Sequence, residues 1–262
     1  MVKVVEGAVN GAGSALSKLD NILAKTGFSG PNGIFNKLPK NTSAQQSRYA
    51  SLQSFRNEFI RLHGETTSGI KSLDEVLDDF DNLVTNHSTV PNIEQYVDEL
   101  MQQSSKFKGG AFGLEILNDL PPALQGKTLS KFEASIDDLS DCRFDMQFTD
   151  GTNFVYLETK NYAQSTTFSS SFYNQFKAYI SNANVTDINQ IKYYFRANSG
   201  VTKIERVQKF KNMLLNGNKY EEIYNSNKSL FNSMQLTDEG KLKLLLESQN
   251  TSHQFFNFIE VF

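Results

Sequence analysis

The spacing of the hydrophobic residues changes near residue 130, and this change restricts the folds open to the chain more than any other feature. Before it, apolar residues recur three and four positions apart, as on one face of a helix. In residues 131–136, 143–148 and 153–160 they alternate with polar residues, as in half-buried strands. Asp150-Gly151, between the last two segments, is a strong signal for a hairpin turn. The middle of the chain therefore predicts three antiparallel strands.

Helical patterns lie on both sides of these strands. Residues 111–120 predict a short buried helix, and residues 169–181 a helix that follows the third strand. A fourth strand is expected over residues 190–196, and two or three helices, the first over 202–215, close the chain. The order helix, three strands, helix, strand, helix predicts an α+β fold.

We expect three regions along the chain. Residues 1–42, punctuated by glycine, predict a packing arm or linker. Residues 43–104 predict a small helical region, with a capping-box pattern at Ser72 and Glu75. Residues 105–262 carry the alternating segments and form the third region. The length of 262 residues suffices for one sizeable core with a smaller attached domain.

Cysteine and histidine usage argues against two kinds of structural cross-link. The single cysteine, Cys142, cannot form an intramolecular disulfide. His63, His87 and His253 have no ligand spacing among themselves or with Cys142. A structural zinc site is therefore not expected.

Hydropathy and charge restrict the partners and the location. No segment approaches the roughly 18 consecutive apolar residues of a membrane-spanning helix, and the start lacks the apolar core of a secretory signal. We expect no membrane span, and either a cytoplasmic protein or one secreted into a target cell without a signal peptide. The net charge of −3 argues against indiscriminate electrostatic binding to nucleic acid, although local basic patches matter more than the total.

Two acids and a lysine share one face of the predicted hairpin. With a tight turn on Asp150-Gly151, residue 148 faces residue 153, and Asp145 lies opposite Tyr156. Because side chains alternate along a strand, Asp145, Glu158 and Lys160 point to one side. The other side takes the apolar side chains Phe144, Met146, Phe148, Val155 and Leu157. Asp145 and Glu158 are then diagonal neighbours, about 7–8 Å apart at the backbone.

Such an acid pair suits metal-dependent hydrolysis. Mg²⁺ or Mn²⁺ prefers oxygen ligands and is commonly held by one or two carboxylates, with water and substrate phosphate in the other positions. The bound cation activates a water molecule, and a lysine beside it stabilises the transition state. An ion-pair lattice on a solvated sheet face is the alternative interpretation of Asp145, Glu158 and Lys160.

The pattern Asp145, twelve intervening residues, then Glu158-Thr-Lys160 resembles the PD-(D/E)xK nuclease signature, with Phe144 where that signature has proline. The resemblance implies a restriction-endonuclease-like αβββαβ core, with a central mixed sheet flanked by helices, behind an N-terminal helical extension. It assigns Asp145 and Glu158 to the metal and Lys160 to the transition state. A lone E-x-K is expected about once in a chain of this size, and Glu239-Gly-Lys241 is a second copy without a partner acid.

Three further residues enter through the same resemblance. Gln175 and Tyr179 match the Q-x3-Y element of RecB-like branches, and their spacing places both on one helix face. Glu115 resembles an acid that many members carry on the first core helix as an added metal ligand. The alternatives are that Glu115 pairs with Lys106 or Lys108, and that Tyr179 belongs to the hydrophobic core.

Basic residues are concentrated between 190 and 220, where they far outnumber acids. On the predicted helix over 202–215, Lys203, Arg206 and Lys209 share one side, which indicates a stripe that could track a phosphate backbone. A solvated helix face is the equally weighted alternative.

The leading hypothesis is a Mg²⁺-dependent phosphodiesterase that cuts DNA. An RNase or tRNase of the same fold is the nearest rival, and a non-catalytic nucleic-acid- or protein-binding module using residues 45–100 is the rival from another class. A nuclease region behind a helical segment also resembles bacterial polymorphic toxins and secreted effectors. That layout implies a delivery apparatus and a cognate immunity protein as partners.

Overall fold

A computed structural model describes residues 2–66, 68–135, 143–182, 185–197 and 200–262. Ile136, which ends the first predicted strand, and Cys142 lie outside these ranges. The chain divides into two compact units, one of residues 1–125 with 130–133 and one of residues 126–129 with 134–262. The division near residue 126 lies later than the predicted start of the third region at residue 105.

The first unit is helical. Its helices in the described residues are α1 (Val2–Leu23), α2 (Thr26–Ser29), α3 (Ile34–Lys37), α4 (Ser43–Arg48), α5 (Leu52–Glu65), α6 (Leu73–Asn86), α7 (Ile93–Leu100) and α8 (Ser104–Asn118). The capping box that begins α6 is present, because Ser72 accepts from the Glu75 backbone N–H and Glu75 accepts from that of Ser72. In the described part of the chain, no helix combines the length and apolar character that crossing a membrane requires.

Aromatic rings form the centre of this unit. The Phe28 ring lies 5.0 Å from that of Phe55 and 5.9 Å from that of Phe80, and the Phe59 ring lies 5.2 Å from that of Phe80. Phe28 is fully buried. Part of the predicted arm, residues 1–42, therefore packs into the helical core, because its own aromatic side chain completes the cluster.

Helix α8 begins at Ser104, earlier than the predicted start at 111, and runs through Gly109-Gly110. A Cβ atom at position 110 would lie 3.0 Å from the Leu100 Cβ, so glycine lets α7 and α8 approach closely. The Tyr96 hydroxyl also donates to the Gly110 carbonyl at 2.7 Å. These contacts within the first unit explain why the helix belongs there.

A five-stranded sheet dominates the rest of the chain. The strands are β1 (Thr128–Ser135), β2 (Arg143–Thr149), β3 (Phe154–Lys160), β4 (Ile191–Phe195) and β5 (Ile259–Val261), in the order β1-β2-β3-β4-β5. Strands β2 and β3 are antiparallel, whereas β3–β4 and β4–β5 are parallel. The helices of this unit are α9 (Ser170–Ile180), α10 (Lys203–Leu215), α11 (Lys219–Ser226), α12 (Lys228–Ser233) and α13 (Glu239–Glu247). The predicted α+β class, with a mixed sheet and flanking helices, is confirmed.

The predicted register of the β2–β3 hairpin was wrong by two residues. Phe148 pairs with Val155 and Thr149 with Phe154, so four residues, 150–153, form the loop. One Asp150 oxygen, Oδ1, accepts from the backbone N–H groups of Thr152 at 3.0 Å and Asn153 at 2.9 Å. This side-chain capping stabilises a wider loop than the expected two-residue turn. An even shift leaves every side chain on its predicted face, except where the strand itself is irregular.

Strand β2 is irregular at its start. The regular pairs with β3 run from Thr149 to Met146, and the Phe144 ring stacks on Tyr156 at 4.9 Å and on Tyr179 at 3.6 Å. Regular alternation from Met146 would direct Phe144 away from Tyr156. The expectation that Phe144 shares a face with Met146 and Phe148 is therefore wrong.

Helix α9 covers the face of the sheet that carries Tyr156 and Tyr193. The Phe172 ring lies 5.0 Å from that of Tyr193, and the Phe176 ring 4.8 Å from that of Phe258 and 4.9 Å from that of Phe210. Phe258 directly precedes β5, a strand too short for its alternation to be recognised in the sequence. This aromatic layer fixes α9 above the sheet.

Replacing Phe176 with alanine should destabilise the second unit by about 3–5 kcal/mol, because it removes a fully buried ring and leaves a cavity. Chemical denaturation followed by circular dichroism measures the change. Leu244→Ala is the control, since that side chain is 68% exposed and its loss should change stability by less than about 0.5 kcal/mol. Equal effects of the two substitutions would contradict the packing described.

Candidate active site

Asp145 is held by the residue between Glu158 and Lys160. One carboxylate oxygen, Oδ2, accepts from the Thr159 backbone N–H and from the Thr159 hydroxyl, both at 2.6 Å. The Thr159 backbone N–H of β3 thus donates to a side chain of β2, because the regular backbone pairing between the two strands ends at Met146. The irregular start of β2 therefore brings the Asp145 carboxylate onto the Glu158-Thr159-Lys160 segment.

Glu158 is buried and accepts from three side chains. Its Oε1 atom accepts from the Lys160 ammonium at 2.5 Å and from the Gln175 amide at 3.0 Å. Its Oε2 atom lies 3.2 Å from the Tyr179 hydroxyl. Only 4% of Glu158 is exposed, so these contacts replace water around the carboxylate.

Gln175 and Tyr179 reach Glu158 from α9, as the Q-x3-Y pattern predicted for one helix face. The Ser169 hydroxyl begins this helix by accepting from the Phe172 backbone N–H at 3.2 Å. The Gln175 amide donates to the Tyr179 hydroxyl at 2.8 Å. The single proton of that hydroxyl faces two acceptors, the Arg143 carbonyl at 2.7 Å and the Glu158 Oε2 atom at 3.2 Å. The Tyr179 ring also belongs to the hydrophobic core. The interpretation as a site residue therefore describes its hydroxyl, and the interpretation as a core residue describes its ring.

The two carboxylates repel each other. Burial, followed by the negative charge of Glu158, raises the pKa of Asp145 to about 7, although Lys160 and the Thr159 hydrogen bonds oppose this. Burial alone lowers the pKa of Lys160, but the charges of Glu158 and Asp145 raise it above its usual value overall. At neutral pH the ammonium stays charged, while Asp145 binds a proton far more readily than an ordinary aspartate.

Burial and the charge of Glu158 raise the pKa of the Tyr179 hydroxyl far above its ordinary value. The phenol therefore keeps its proton at any pH at which the fold exists. It acts as a donor that orients the carboxylate, and not as a base.

The donors of this cluster fit a hard divalent cation. Within the described residues, both hydrogen bonds to Asp145 fall on Oδ2, which leaves its Oδ1 atom for another partner. One ammonium faces two carboxylates, so the cluster carries excess negative charge whenever Asp145 is ionised. Two carboxylates, with water and phosphate completing the shell, are a usual Mg²⁺ environment. No group of three or more His, Cys, Asp or Glu side chains suited to a metal occurs among the residues described.

Glu115, the third proposed ligand, lies on α8 in the first unit. Its Oε1 atom is 3.8 Å from the Lys71 ammonium, and Lys71 also pairs with Asp79 at 3.1 Å. Lys71 is thus an ion-pair partner of Glu115 in this unit, whereas Lys106, one of the partners that we considered, pairs with Glu99. A role for Glu115 as a metal ligand stays a prediction.

The basic residues of α10 do not form the exposed stripe that we considered. Arg206 is fully buried and donates to the carbonyls of Tyr162 at 2.8 Å and Ala163 at 3.2 Å. Lys209 donates to the Gln164 and Thr166 carbonyls, the latter at 2.9 Å. Lys203 pairs with Glu260 at 3.1 Å. Arg206 and Lys209 hold the loop that follows Lys160, so we do not assign them to phosphate binding.

Two contributors were missed in the sequence. Thr159 is the variable residue of the E-x-K pattern. Because any residue fits that position, the pattern does not predict the hydrogen bonds from Thr159 to Asp145. The Arg143 carbonyl, one of the two acceptors for the Tyr179 proton, is a backbone group and has no residue signature at all.

Asp145→Asn should raise the thermal midpoint in EDTA at pH 8. The folded pKa of about 7 lies above the ordinary 3.8, so the stability of the wild type is lost as pH rises from about 4 through 7, whereas asparagine stays neutral. The gain should shrink as the pH falls to 5. Thermal melts of the variant and the wild type at both pH values measure the difference in midpoint, which is about 2–4 °C for each kcal/mol of stability.

Asp150→Asn is the matched control. Hydrogen bonds from the backbone of Asn153 and Thr152 lower the pKa of Asp150, so its ionised form is the stabilising one and the substitution should lower the midpoint at pH 8. A loss of stability in the Asp145 variant at pH 8, or an unchanged pH dependence, would contradict the repulsion described.

The structure therefore brings Lys160, Gln175 and Tyr179 together on Glu158, with Asp145 held beside them by Thr159. No protein family, no curated protein and no solved structure matches this chain. The relation to PD-(D/E)xK nucleases, and the restriction-endonuclease-like form of the core, stay predictions.

Proposed function

We propose that the chain is a metal-dependent nuclease that hydrolyses phosphodiester bonds, with DNA as the favoured substrate. The observation that carries the proposal is the convergence of Asp145, Glu158 and Lys160, in which a half-buried carboxylate with a pKa raised to about 7 lies beside a buried second carboxylate and an ammonium. Perturbed acids that neighbour one another are typical of catalytic centres. Asp145 and Glu158 would hold Mg²⁺ or Mn²⁺.

When bound, the cation would lower the pKa of a water molecule and neutralise charge on the phosphate. The chain supplies orientation and a fixed positive charge. Thr159 holds Asp145 by two hydrogen bonds, and Gln175 and Tyr179 hold Glu158, so both carboxylates are placed before substrate arrives. Lys160 keeps its proton and can stabilise the negative charge that develops on the phosphate oxygens.

The rival interpretation is a purely structural network. It is favoured by one observation, namely that the Glu158 carboxylate already accepts from three protein donors. A structural network predicts a loss of stability on substitution and no nuclease activity in the wild type.

Lys160→Ala should lower the rate of plasmid cleavage in Mg²⁺ by roughly 100- to 1,000-fold, the usual effect of removing one group that stabilises a transition state. Nicking of supercoiled plasmid measures the rate, and EDTA should abolish it. Glu158→Gln should behave alike, because it removes the charge but keeps the size of the side chain. Parallel reactions with single-stranded RNA and tRNA test the RNase alternative.

Lys241→Ala is the matched control for the plasmid assay. Lys241 belongs to the second E-x-K copy, lies on α13 and donates to the Thr237 hydroxyl at 2.7 Å, so its loss should leave the rate unchanged. The proposal fails if wild-type protein cuts neither DNA nor RNA, or if cleavage survives EDTA.

We further propose that this activity serves as an antibacterial toxin or effector, delivered into a target cell and held in check by an immunity protein. Two separate compact units, with the acid pair in the second, support such a layout. Induced expression in bacteria should stop growth for the wild type and not for Glu158→Gln. Equal growth of the two strains would contradict the toxin role while leaving the chemistry untouched.

A further inference from the structure

The acceptor positions of the Glu158 carboxylate are nearly all taken by protein donors. A carboxylate offers about four lone-pair positions, two on each oxygen. Lys160 and Gln175 both donate to Oε1, at 2.5 and 3.0 Å, which fills that oxygen. The Tyr179 hydroxyl lies 3.2 Å from Oε2 and shares its proton with the Arg143 carbonyl. A cation that used Glu158 as a ligand would therefore compete with donors already in place.

The three donors differ in how readily they can leave the carboxylate. Tyr179 is 2% exposed and its ring stacks on that of Phe144 at 3.6 Å, so the core fixes its position. Gln175 lies on α9 and also donates to the Tyr179 hydroxyl. Lys160 ends β3, and 15% of its side chain is exposed. Its ammonium stands on a flexible four-carbon stem, so it can move away without disturbing the helix or the sheet.

Hydrogen bonding holds Lys160 less firmly than its neighbours. An ammonium has three N–H donors, and among the described residues that of Lys160 donates to Glu158 alone. The Asp145 Oδ1 atom receives none of the hydrogen bonds described for that carboxylate. Departure of the ammonium would therefore open a position on Glu158 beside a second carboxylate oxygen that is already available.

The charges of the cluster favour such an exchange. Burial lowers the pKa of Lys160, but the charges of Glu158 and then Asp145 raise it overall, so both carboxylates act on the ammonium. Two ionised carboxylates carry one charge more than a single ammonium can balance. An ammonium and a divalent cation on the same carboxylate also repel each other at short range. The ammonium therefore weakens cation binding, and a bound cation favours its departure.

We propose that Lys160 is a displaceable counter-ion of Glu158, which holds that carboxylate until Mg²⁺ or Mn²⁺ binds Asp145 and Glu158 and then leaves it. The inference deepens the proposed function and rests on it for the identity of the cation. It reconciles a metal site with the three donors on Glu158, because one of them is released. The released ammonium is then free to face the phosphate of the substrate.

Metal affinity in the absence of nucleic acid tests the proposal. Lys160→Met removes the charge and keeps an unbranched side chain, so it should bind Mn²⁺ roughly 10- to 100-fold more tightly than the wild type. Electron paramagnetic resonance of free Mn²⁺ during a titration measures the affinity. Lys160→Arg keeps the charge and should gain no affinity. Lys241→Met, in the second E-x-K copy on α13, should match the wild type.

Thermal melts check that the variants are folded. Each should show a cooperative transition in EDTA. Because binding to the folded state raises the midpoint, the same Mn²⁺ concentration should raise it more for Lys160→Met than for the wild type. An affinity of Lys160→Met equal to or weaker than that of the wild type would overturn the proposal. An equal gain in Lys160→Arg would overturn it as well, since the charge would then not be the cause.

The wild type supplies a measurement that needs no variant. In protein labelled with ¹³C-lysine, the Cε resonance of Lys160, assigned through its backbone, should shift when Mg²⁺ is added. The shift should saturate with the Kd that calorimetry gives for Mg²⁺, and the resonance of Lys241 should stay in place. Saturated Mg²⁺ binding with an unchanged Lys160 resonance would show that the ammonium does not leave.

These outcomes separate the displacement from the catalytic proposal. Tighter Mn²⁺ binding by Lys160→Met, together with a wild type that cuts no nucleic acid, supports the displacement and contradicts the nuclease. Mg²⁺-dependent cleavage by the wild type, with no gain of Mn²⁺ affinity in Lys160→Met, contradicts the displacement alone. Absence of Mn²⁺ and Mg²⁺ binding in every variant contradicts both.

Discussion

The site depends on one buried carboxylate, that of Glu158, which joins the sheet to the helix above it. Lys160 of β3 and Gln175 of α9 donate to one of its oxygens, and the Tyr179 hydroxyl of α9 lies between the other oxygen and a β2 carbonyl, which share its one proton. Burying such a charge is costly unless donors replace the lost water. The same contacts that satisfy the charge therefore set the height and rotation of α9, and the aromatic layer around Phe176 holds the helix in that position.

A second feature of the site is the repulsion between the carboxylates of Asp145 and Glu158. Asp145 reaches the Glu158-Thr159-Lys160 segment because the regular β2–β3 pairing does not extend to the residues before Met146. Burial, followed by the charge of Glu158, raises the pKa of Asp145 to about 7. One ammonium cannot balance two ionised carboxylates, and a divalent cation is the simplest group that would. Under the proposed function, the protein gives up stability at this cluster in order to bind a cation, which is the usual relation between fold and function at catalytic centres.

Sequence periodicity predicted much of the fold, and the errors have identifiable causes. The α+β order, the β2 and β3 segments, α9 and the face shared by Glu158 and Lys160 followed from spacing. Asp145 lies at the irregular start of β2, where alternation does not fix the face of a side chain. The hairpin register differed by two residues because the Asp150 side chain caps a four-residue loop. Helix α8 starts before its expected first residue because it runs through Gly110. Glycine is present there for close packing against Leu100, and it does not end the helix. The α10 cations were misjudged because a helical pattern does not show which carbonyls will lie beside Arg206.

The sequence by itself determined the residue types of the site and, for Glu158 and Lys160, the side of the strand on which they stand, because alternation along a regular strand is a local property. Only the tertiary structure decided that Thr159 holds Asp145, that the Gln175 and Tyr179 side chains meet Glu158, and that Arg206 is internal. Those contacts depend on how close elements remote in the chain come to each other, on where the β2–β3 backbone pairing ends and on how deeply each charged side chain is buried. These distances, pairings and burials result from the packing of the whole fold, so no short segment of the sequence predicts them.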